Sequence, residues 1–283
     1  LANQDRPRLT IGILTDLHLG YNQTAAENVA AGVADLQGLG IDVLAILGDV
    51  VDLDERYWDL ARELILSRVR IATILTRGNA DMEAGGDAAW LRVVGQPVRH
   101  ALSLGGVRLV TAGAVDVEHL LGIGDDAPAW IGADLAAHRD ELGVVLCHAP
   151  VHDTTFWSCD NAEDQCLAGI LPPDNPPFPL YLRQSEAMAD MLRHSPTARL
   201  FLTGHVHNDH RMVCDHGFGP WAERDGVMHL ATANLGGWQG FGVRRQEGRV
   251  ISITPERIDV RVRDVVRREF VPELDLSFPT RRP

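Results

Sequence analysis

Short apolar, β-branched runs recur along the chain and each closes on a polar cluster: Leu9–Thr15, Ile41–Leu47, Arg70–Leu75, Val107–Ala112, Gly143–Cys147 and Arg199–Thr203. Runs this short and this continuously apolar suit strands buried on both faces. Between the first two lies Thr24-Ala25-Ala26-Glu27, the Thr-x-x-Glu pattern with which a helix start satisfies its own orphan N–H groups. The Ala-, Val- and Leu-rich stretch behind it stops near Gly38 and Gly40, which predicts a helix. A second helix is predicted from Tyr57 to about Val69, and a third from Ser185 to His194, ending before Pro196. The order so far is β-α-β-α-β.

Beyond residue 225 the strand candidates crowd together, at Val227–Ala233, Gly240–Arg244, Arg249–Thr254 and Ile258–Arg263, with Gly, Gln-Glu-Gly and Pro-Glu turn signals between them. A C-terminal β-meander is therefore expected at about 226–264. The whole pattern predicts one domain over 1–283: an α/β fold of two packed mixed β-sheets, a β-sandwich flanked by α-helices, with the C-terminal strands completing the second sheet. From His152 to about Tyr181 the periodicity lapses and Pro172, Pro173, Pro176, Pro177 and Pro179 crowd in. A connection of that length is expected to be a lid-like loop over a substrate site.

Five polar clusters sit where predicted strands end: Asp16-Leu17-His18, Gly48-Asp49-Val50-Val51-Asp52, Gly78-Asn79-Ala80-Asp81, His148, and Gly204-His205-Val206-His207. Loops at the carboxyl ends of strands in α/β sheets converge on one crevice, so residues far apart in sequence can share a site. Alternation along an extended segment aims residues i and i+2 the same way, which pairs Asp16 with His18 and His205 with His207. Gly48 lets the backbone turn tightly before Asp49 and project a carboxylate that bridges two cations. Carboxylate oxygens, imidazole nitrogens and one amide oxygen, without a thiolate, suit Mn, Fe or Zn. Two such ions about 4 Å apart can activate a bridging water and clamp the oxygens of an in-line displacement at phosphorus. Two divalent or trivalent metal ions per chain are thus expected, and phosphoester hydrolysis with them.

Charge narrows the substrates. The formal net charge is −13, and all 26 basic residues are arginine, so no lysine is present to form a Schiff base or serve a P-loop. The acidic balance argues against long nucleic acid as a partner, whereas bound cations would reverse the local sign for a small phosphorylated substrate. Cys147, Cys159, Cys166 and Cys214 are too few for a disulfide scaffold, lack paired CxxC spacing and are expected as free thiols. No run approaches the ~20 apolar residues of a membrane span. A cytoplasmic protein is expected; the sequence carries no signal for its oligomeric state.

From Asp16 to His207 the chain resembles the calcineurin-like metallophosphoesterases, whose motifs D-x-H, G-D-x-x-D, G-N-H-[DE], H and G-H-x-H it matches in order. The resemblance implies one metal held by Asp16, His18, Asp49 and His207, and a second by Asp49, Asn79, His148 and His205, inside a layered sandwich. Asn79 would also face substrate. Ala80 stands where the family usually has a histidine that contacts the phosphate and helps the leaving group depart, and Asp81 loses the histidine partner the resemblance implies for it. Asp52, the last residue of the second motif, is expected to be a loop-stabilising hydrogen-bond acceptor. His152, His210 and Cys147 are the nearest groups in sequence to replace the missing proton donor, although Cys147 lies on an apolar run that should be core; Asn208 would shape the pocket rim. The expected activity is hydrolysis of small phosphodiesters. Phosphomonoesterase or nucleotide pyrophosphatase activity at the same site, or a catalytically impaired or non-catalytic scaffold on account of Ala80, are the alternatives.

Overall fold

In the computed structural model, which describes residues 8–115, 121–155, 180–207, 210, 219–236 and 245–281, the apolar runs become strands of two mixed sheets. In the first, β1 (Leu9–Leu14), β2 (Val43–Ile46) and β3 (Ala72–Leu75) pair in parallel. The second begins with the antiparallel pair β4 (Arg99–Leu104) and β5 (Val107–Ala112), then adds β6 (Leu142–Leu146) and β7 (Ala198–Thr203) in parallel. It is finished by β8 (Trp221–Arg224) and β9 (Val227–Ala231), with β9 parallel to β7 and β8 at the edge. The remaining strands, β10 (Glu247–Ile253), β11 (Arg257–Asp264), β12 (Glu269–Phe270) and β13 (Leu276–Pro279), extend the first sheet from β1.

Strand alternation decides what each face does. Ile11, Ile13, Val43 and Ile251 of the first sheet meet Leu109, Val144, Leu200 and Met228 of the second in one buried cluster. The opposite faces carry Leu14, Leu44 and Ile46, which pack on Val29, Val33 and Leu36 of α1 (Gln23–Gly38) in a cluster that also holds Trp90 of α4 (Gly86–Val93). Likewise Val145 and Phe201 pack on Ile131 and Leu135 of α5 (Ala127–Ala137) and on Met188 and Leu192 of α6 (Ser185–His194). Each such side chain, fully buried, contributes roughly 1.5–3 kcal/mol, so the loops that carry the polar clusters rest on rigid strand ends. Among the described residues, no helix is long and apolar enough to cross a membrane.

Three expectations change. Helix α1 starts two residues earlier than Thr24-x-x-Glu27 suggested, because Asn22 accepts a hydrogen bond from the Ala25 N–H at 2.8 Å and caps it. The stretch read as one helix from Tyr57 is a 3₁₀ turn (Glu55–Tyr57), a short α2 (Trp58–Ala61) and a π-helical turn (Arg62–Leu66). The C-terminal meander at 226–264 is divided: β9 closes the second sheet, whereas β10 and β11 cross to the first. The register explains why, since Ile251 and Ile253 stand opposite Ile11 and Leu9 and prolong the apolar inner face that β1 begins. Gly240–Arg244, and most of the expected lid, lie outside the described residues.

One buried group gives the fold an acid sensitivity. His229 on β9 is 3% exposed, packs its ring 5.3 Å from that of Phe201, and has no partner for Nδ1. Burial, with Arg224 nearby, pushes its pKa down from 6.5 to about 3. Above pH 6.5 the imidazole is neutral in folded and unfolded chain alike; between 6.5 and 3 only the unfolded chain takes up the proton, so stability falls as pH falls. His229→Leu should flatten this slope, by up to about tenfold in the unfolding constant per pH unit. Urea midpoints measured across that window test it, and parallel profiles for the two proteins would rule it out.

Candidate metal centre

The polar clusters leave the carboxyl ends of five strands, β1, β2 and β3 of the first sheet and β6 and β7 of the second. The structure gathers ligand atoms of Asp16, His18, Asp49 and His207 within 4.8 Å of one another, and those of Asp49, His148 and His205 likewise. Asp49 belongs to both groups. His207 Nε2 lies 3.0 Å from Asp16 Oδ1 and 3.0 Å from His18 Nε2, and His148 Nε2 lies 3.2 Å from Asp49 Oδ2. Donors that each sit about 2.0–2.2 Å from one ion, roughly 90–110° apart, are separated by about 3.0–3.5 Å, so these spacings fit shared cations. Asn79, at the start of α3 (Asn79–Glu83), has a solvent-inaccessible Oδ1 with no hydrogen-bond partner, and so has Nε2 of His205. An unanswered buried acceptor is costly, and coordination of a cation would answer the Asn79 oxygen.

Local sequence explains how the side chains are aimed. Asp16 (φ 51°), His18 (42°), Asp49 (49°), His205 (72°) and His207 (54°) all have left-handed backbone, a conformation non-glycine residues adopt only when neighbours over-determine it. The neighbours are identifiable. Gly48 and Gly78 pass so close that a Cβ on Gly78 would run into the Asp49 carboxylate. The Ala80 N–H donates to Asp49 Oδ1 at 2.9 Å, the Thr15 hydroxyl to Asp16 Oδ2 at 2.8 Å, and the His205 N–H to the same oxygen at 2.9 Å. Leu47 O accepts from His148 Nδ1 at 2.7 Å, and Asp52 Oδ1 pairs with His18 Nδ1 at 3.0 Å, which turns both Nε2 atoms toward the cluster. Asp52 is thus an acceptor, but what it holds is the imidazole of His18 rather than its own loop.

Electrostatics in the cluster run against burial. Burial alone would raise both carboxyls, yet His207 holds Asp16, and His148 holds Asp49, below the usual range. Burial disfavours a charged His148, but Asp49 and then Asp16 lift its pKa to about 10. Burial and the His148 charge push His205 down to about 3. Two carboxylates that stay ionised while buried create a negative well suited to cations.

The other candidate residues divide clearly. Asp81 is fully buried; its carboxylate accepts from the N–H groups of Val50 (2.7 Å), Val51 (3.0 Å) and Gly78 (2.9 Å), so it braces the Asp49 and Asn79 loops against each other. Burial and the Asp49 charge raise its pKa to about 7. Cys147 is buried with its thiol pushed up to about 12 by burial, which removes it as a proton donor. His210 is also removed, since one ring nitrogen pairs with Glu247 and the other faces Ala231 O and Arg249. His152 is not in the gathered groups; its ring packs on Tyr181 at 4.5 Å and it lines a cavity of about 790 Å³ with Arg183 and Arg224. Asn208 lies outside the described residues. Sequence reasoning missed Thr15 and Asn28; Asn28 Nδ2 donates to Leu235 O at 3.1 Å, while the N–H groups of Leu235 and Gly236 bond Thr15 O and Asp16 O. An asparagine on the inward face of a helix was the available signal.

Two ligand groups that share a carboxylate, set at the strand ends of a double-sheet fold, define a phosphoester-hydrolysing metalloenzyme. Residues 9–209 match the family model described as calcineurin-like phosphoesterase, and the chain belongs to that family. Among solved structures it is similar to a dimetal phosphatase from Danio rerio, at 14% identity and a TM-score of 0.69, covering 97% of this chain and 99% of that one. It is also similar to the purple acid phosphatase PPD1 of yellow lupin (Lupinus luteus) seeds, at 13% identity and a TM-score of 0.64, covering 96% and 53%. GAP50, the anchor in the inner membrane complex of Plasmodium, is similar at 10% identity and a TM-score of 0.60, covering 97% and 89%. At these identities the likeness is one of fold. No curated protein matches the sequence significantly.

Proposed function

We propose that the protein hydrolyses small phosphodiesters with two divalent or trivalent ions, Mn, Fe or Zn, one held by Asp16, His18, Asp49 and His207 and the other by Asp49, Asn79, His148 and His205. The observation that carries this reading is Asp49 shared between two ligand groups, beside a buried Asn79 Oδ1 that has no other partner. When bound, such a pair supplies an activated water and neutralises charge on the phosphoryl oxygens.

The chain's own residues set the substrate preference. Ala80 gives its N–H to Asp49 and has no side-chain proton to give, so a leaving group departs without an acid from that position. Substrates whose leaving groups are stable anions are favoured. Arg77, the arginine next to this loop, is buried and committed to Ala114 O and Asp87, which leaves it unable to clamp a doubly charged monoester. A diester brings one negative charge and needs no such clamp.

Turnover of an activated aryl phosphodiester beside the matching monoester, with Mn²⁺ supplied and then chelated, tests the proposal. Diester kcat/KM should exceed monoester by about tenfold or more, a difference of roughly 1.4 kcal/mol at the transition state, and vanish on chelation. Faster monoester turnover would replace the diester reading with a phosphatase. No turnover of either by protein holding two ions would favour the impaired scaffold that Ala80 allows.

A further inference from the structure

Behind the metal-binding loops, and sharing no side chain with the ligand groups, lies a second buried cluster of ionisable residues: Glu247 and Arg249 on β10 and His210, which follows His207 by three positions. All three are inaccessible, at 0%, 2% and 1% exposure. His210 Nδ1 pairs with Glu247 Oε2, and the His210 N–H adds a longer bond to the same oxygen at 3.3 Å. Arg249 Nη2 donates to His210 Nε2 and to Ala231 O. Both ring nitrogens of His210 are thereby engaged, Nδ1 by Glu247 and Nε2 by Arg249 and, at 3.1 Å, by Ala231 O.

The place of this cluster in the fold is informative. Arg249 stands opposite Ile13 in the β1–β10 register, which puts Glu247 at the end of β1 from which Asp16 departs. Ala231 is the last residue of β9, in the other sheet. The three side chains therefore tie the two sheets together at their metal-binding end, and one of them, His210, stands three positions beyond His207. His205 and His207 keep left-handed backbone, which persists only where the surrounding structure holds it. One such hold is the bond from the His205 N–H to Asp16.

We infer that Glu247, His210 and Arg249 are positioning residues that latch the His205–His207 loop and fix how those imidazoles present to the metal pair. The inference rests on the two-metal reading of the site but uses none of its ligands. Buried charged and polar groups are a poor device for stability, since apolar residues of the same size commonly serve as well; holding one geometry is what the latch supplies here. Glu247 acts through its acceptor oxygen, so an amide that keeps that oxygen should serve and a shape-alike without it should not.

The test measures Mn²⁺ affinity and stoichiometry by calorimetric titration of the full chain, with circular dichroism to certify folding. Parent protein that binds no Mn²⁺ would overturn the two-metal reading itself, separately from the latch. If the parent binds two ions, Glu247→Leu should weaken binding by about 10–100-fold, the range seen when a ligand's supporting partner is removed, while Glu247→Gln stays within about threefold. A folded Glu247→Leu with parental affinity would overturn the inference. Should that variant fail to fold, His210→Asn keeps a donor toward Glu247 but loses the atom that meets Arg249; it should bind the ions at least several-fold more weakly, and parental affinity there would overturn the inference equally.

Discussion

Asp49→Ala should abolish turnover of every phosphoester, a loss on the order of 10⁴-fold or roughly 5.5 kcal/mol of transition-state stabilisation. Among the described residues, no other side chain belongs to both ligand groups. Its Oδ2 faces His148 Nε2 at 3.2 Å and His18 Nε2 at 3.6 Å, while its Oδ1 is fixed by the Ala80 N–H, so its removal costs each ion a ligand and takes away what spaces them. In chelator the chain should lose stability as well. Burial disfavours a charged His148 and Asp49 is the carboxylate that offsets this; Asp49 also accepts the buried Ala80 N–H, so its deletion strands both partners while the three backbone bonds to Asp81 remain. The variant should therefore melt below the parent in chelator and also lose the stabilisation that Mn²⁺ adds, which grows with the logarithm of ion concentration over Kd. Metal content, turnover and melting with and without Mn²⁺ make the measurement, with exposed Asp59→Ala as the control. Two ions retained, or turnover within tenfold of parent, would break the assignment of Asp49 as the bridge.

The sequence makes this centre legible for a physical reason. A buried strand must end where its backbone reaches solvent, so charged and imidazole residues at five such ends stand out against the apolar runs before them. What could not be read is how the ends are held. Left-handed backbone at Asp16, His18 and Asp49 leaves no mark in residue type, since these residues are not glycine. Asp81 looked like an acid deprived of its histidine; its three partners are backbone N–H groups, which a sequence does not display. The same limit applies to the fold. Strands β1, β5 and β7 announce themselves by burial on both faces, whereas β4 is half-exposed along most of its length and has no clean alternation. Helix α5 is apolar around much of its circumference and lacks a capping pattern of the kind that marked α1, and Pro128 after Asp126 is the one start signal it offers. The crossing of β10 to β1 depends on matching two inner faces at opposite ends of the chain, and local patterning cannot encode that choice between sheets.

Ala80→His is the reverse experiment and should increase activity, most for substrates with poor leaving groups. A positioned general acid is typically worth about 10²–10⁴-fold, and a leaving group that is already a stable anion draws little of it. Position 80 is well prepared in backbone, since its N–H is anchored on Asp49 in the first turn of α3. It is less well prepared in side chain. Asp81 already accepts three backbone donors and is not available to orient an imidazole, and Ala80 is 2% exposed, so the ring must displace its neighbours. Such overpacking costs about 1–3 kcal/mol of stability, and the gain in rate should fall near the lower limit, about 10²-fold for the poorest leaving groups. The measurement is kcat/KM for a series of aryl phosphodiesters graded by leaving-group pKa, with both proteins shown to be folded and to hold two ions. The parent should slow steeply as the leaving group worsens, and Ala80→His should flatten that dependence. An equal gain across the series would mean that the new imidazole grips the phosphoryl group without passing it a proton, and the account of Ala80 as a missing acid would then be wrong.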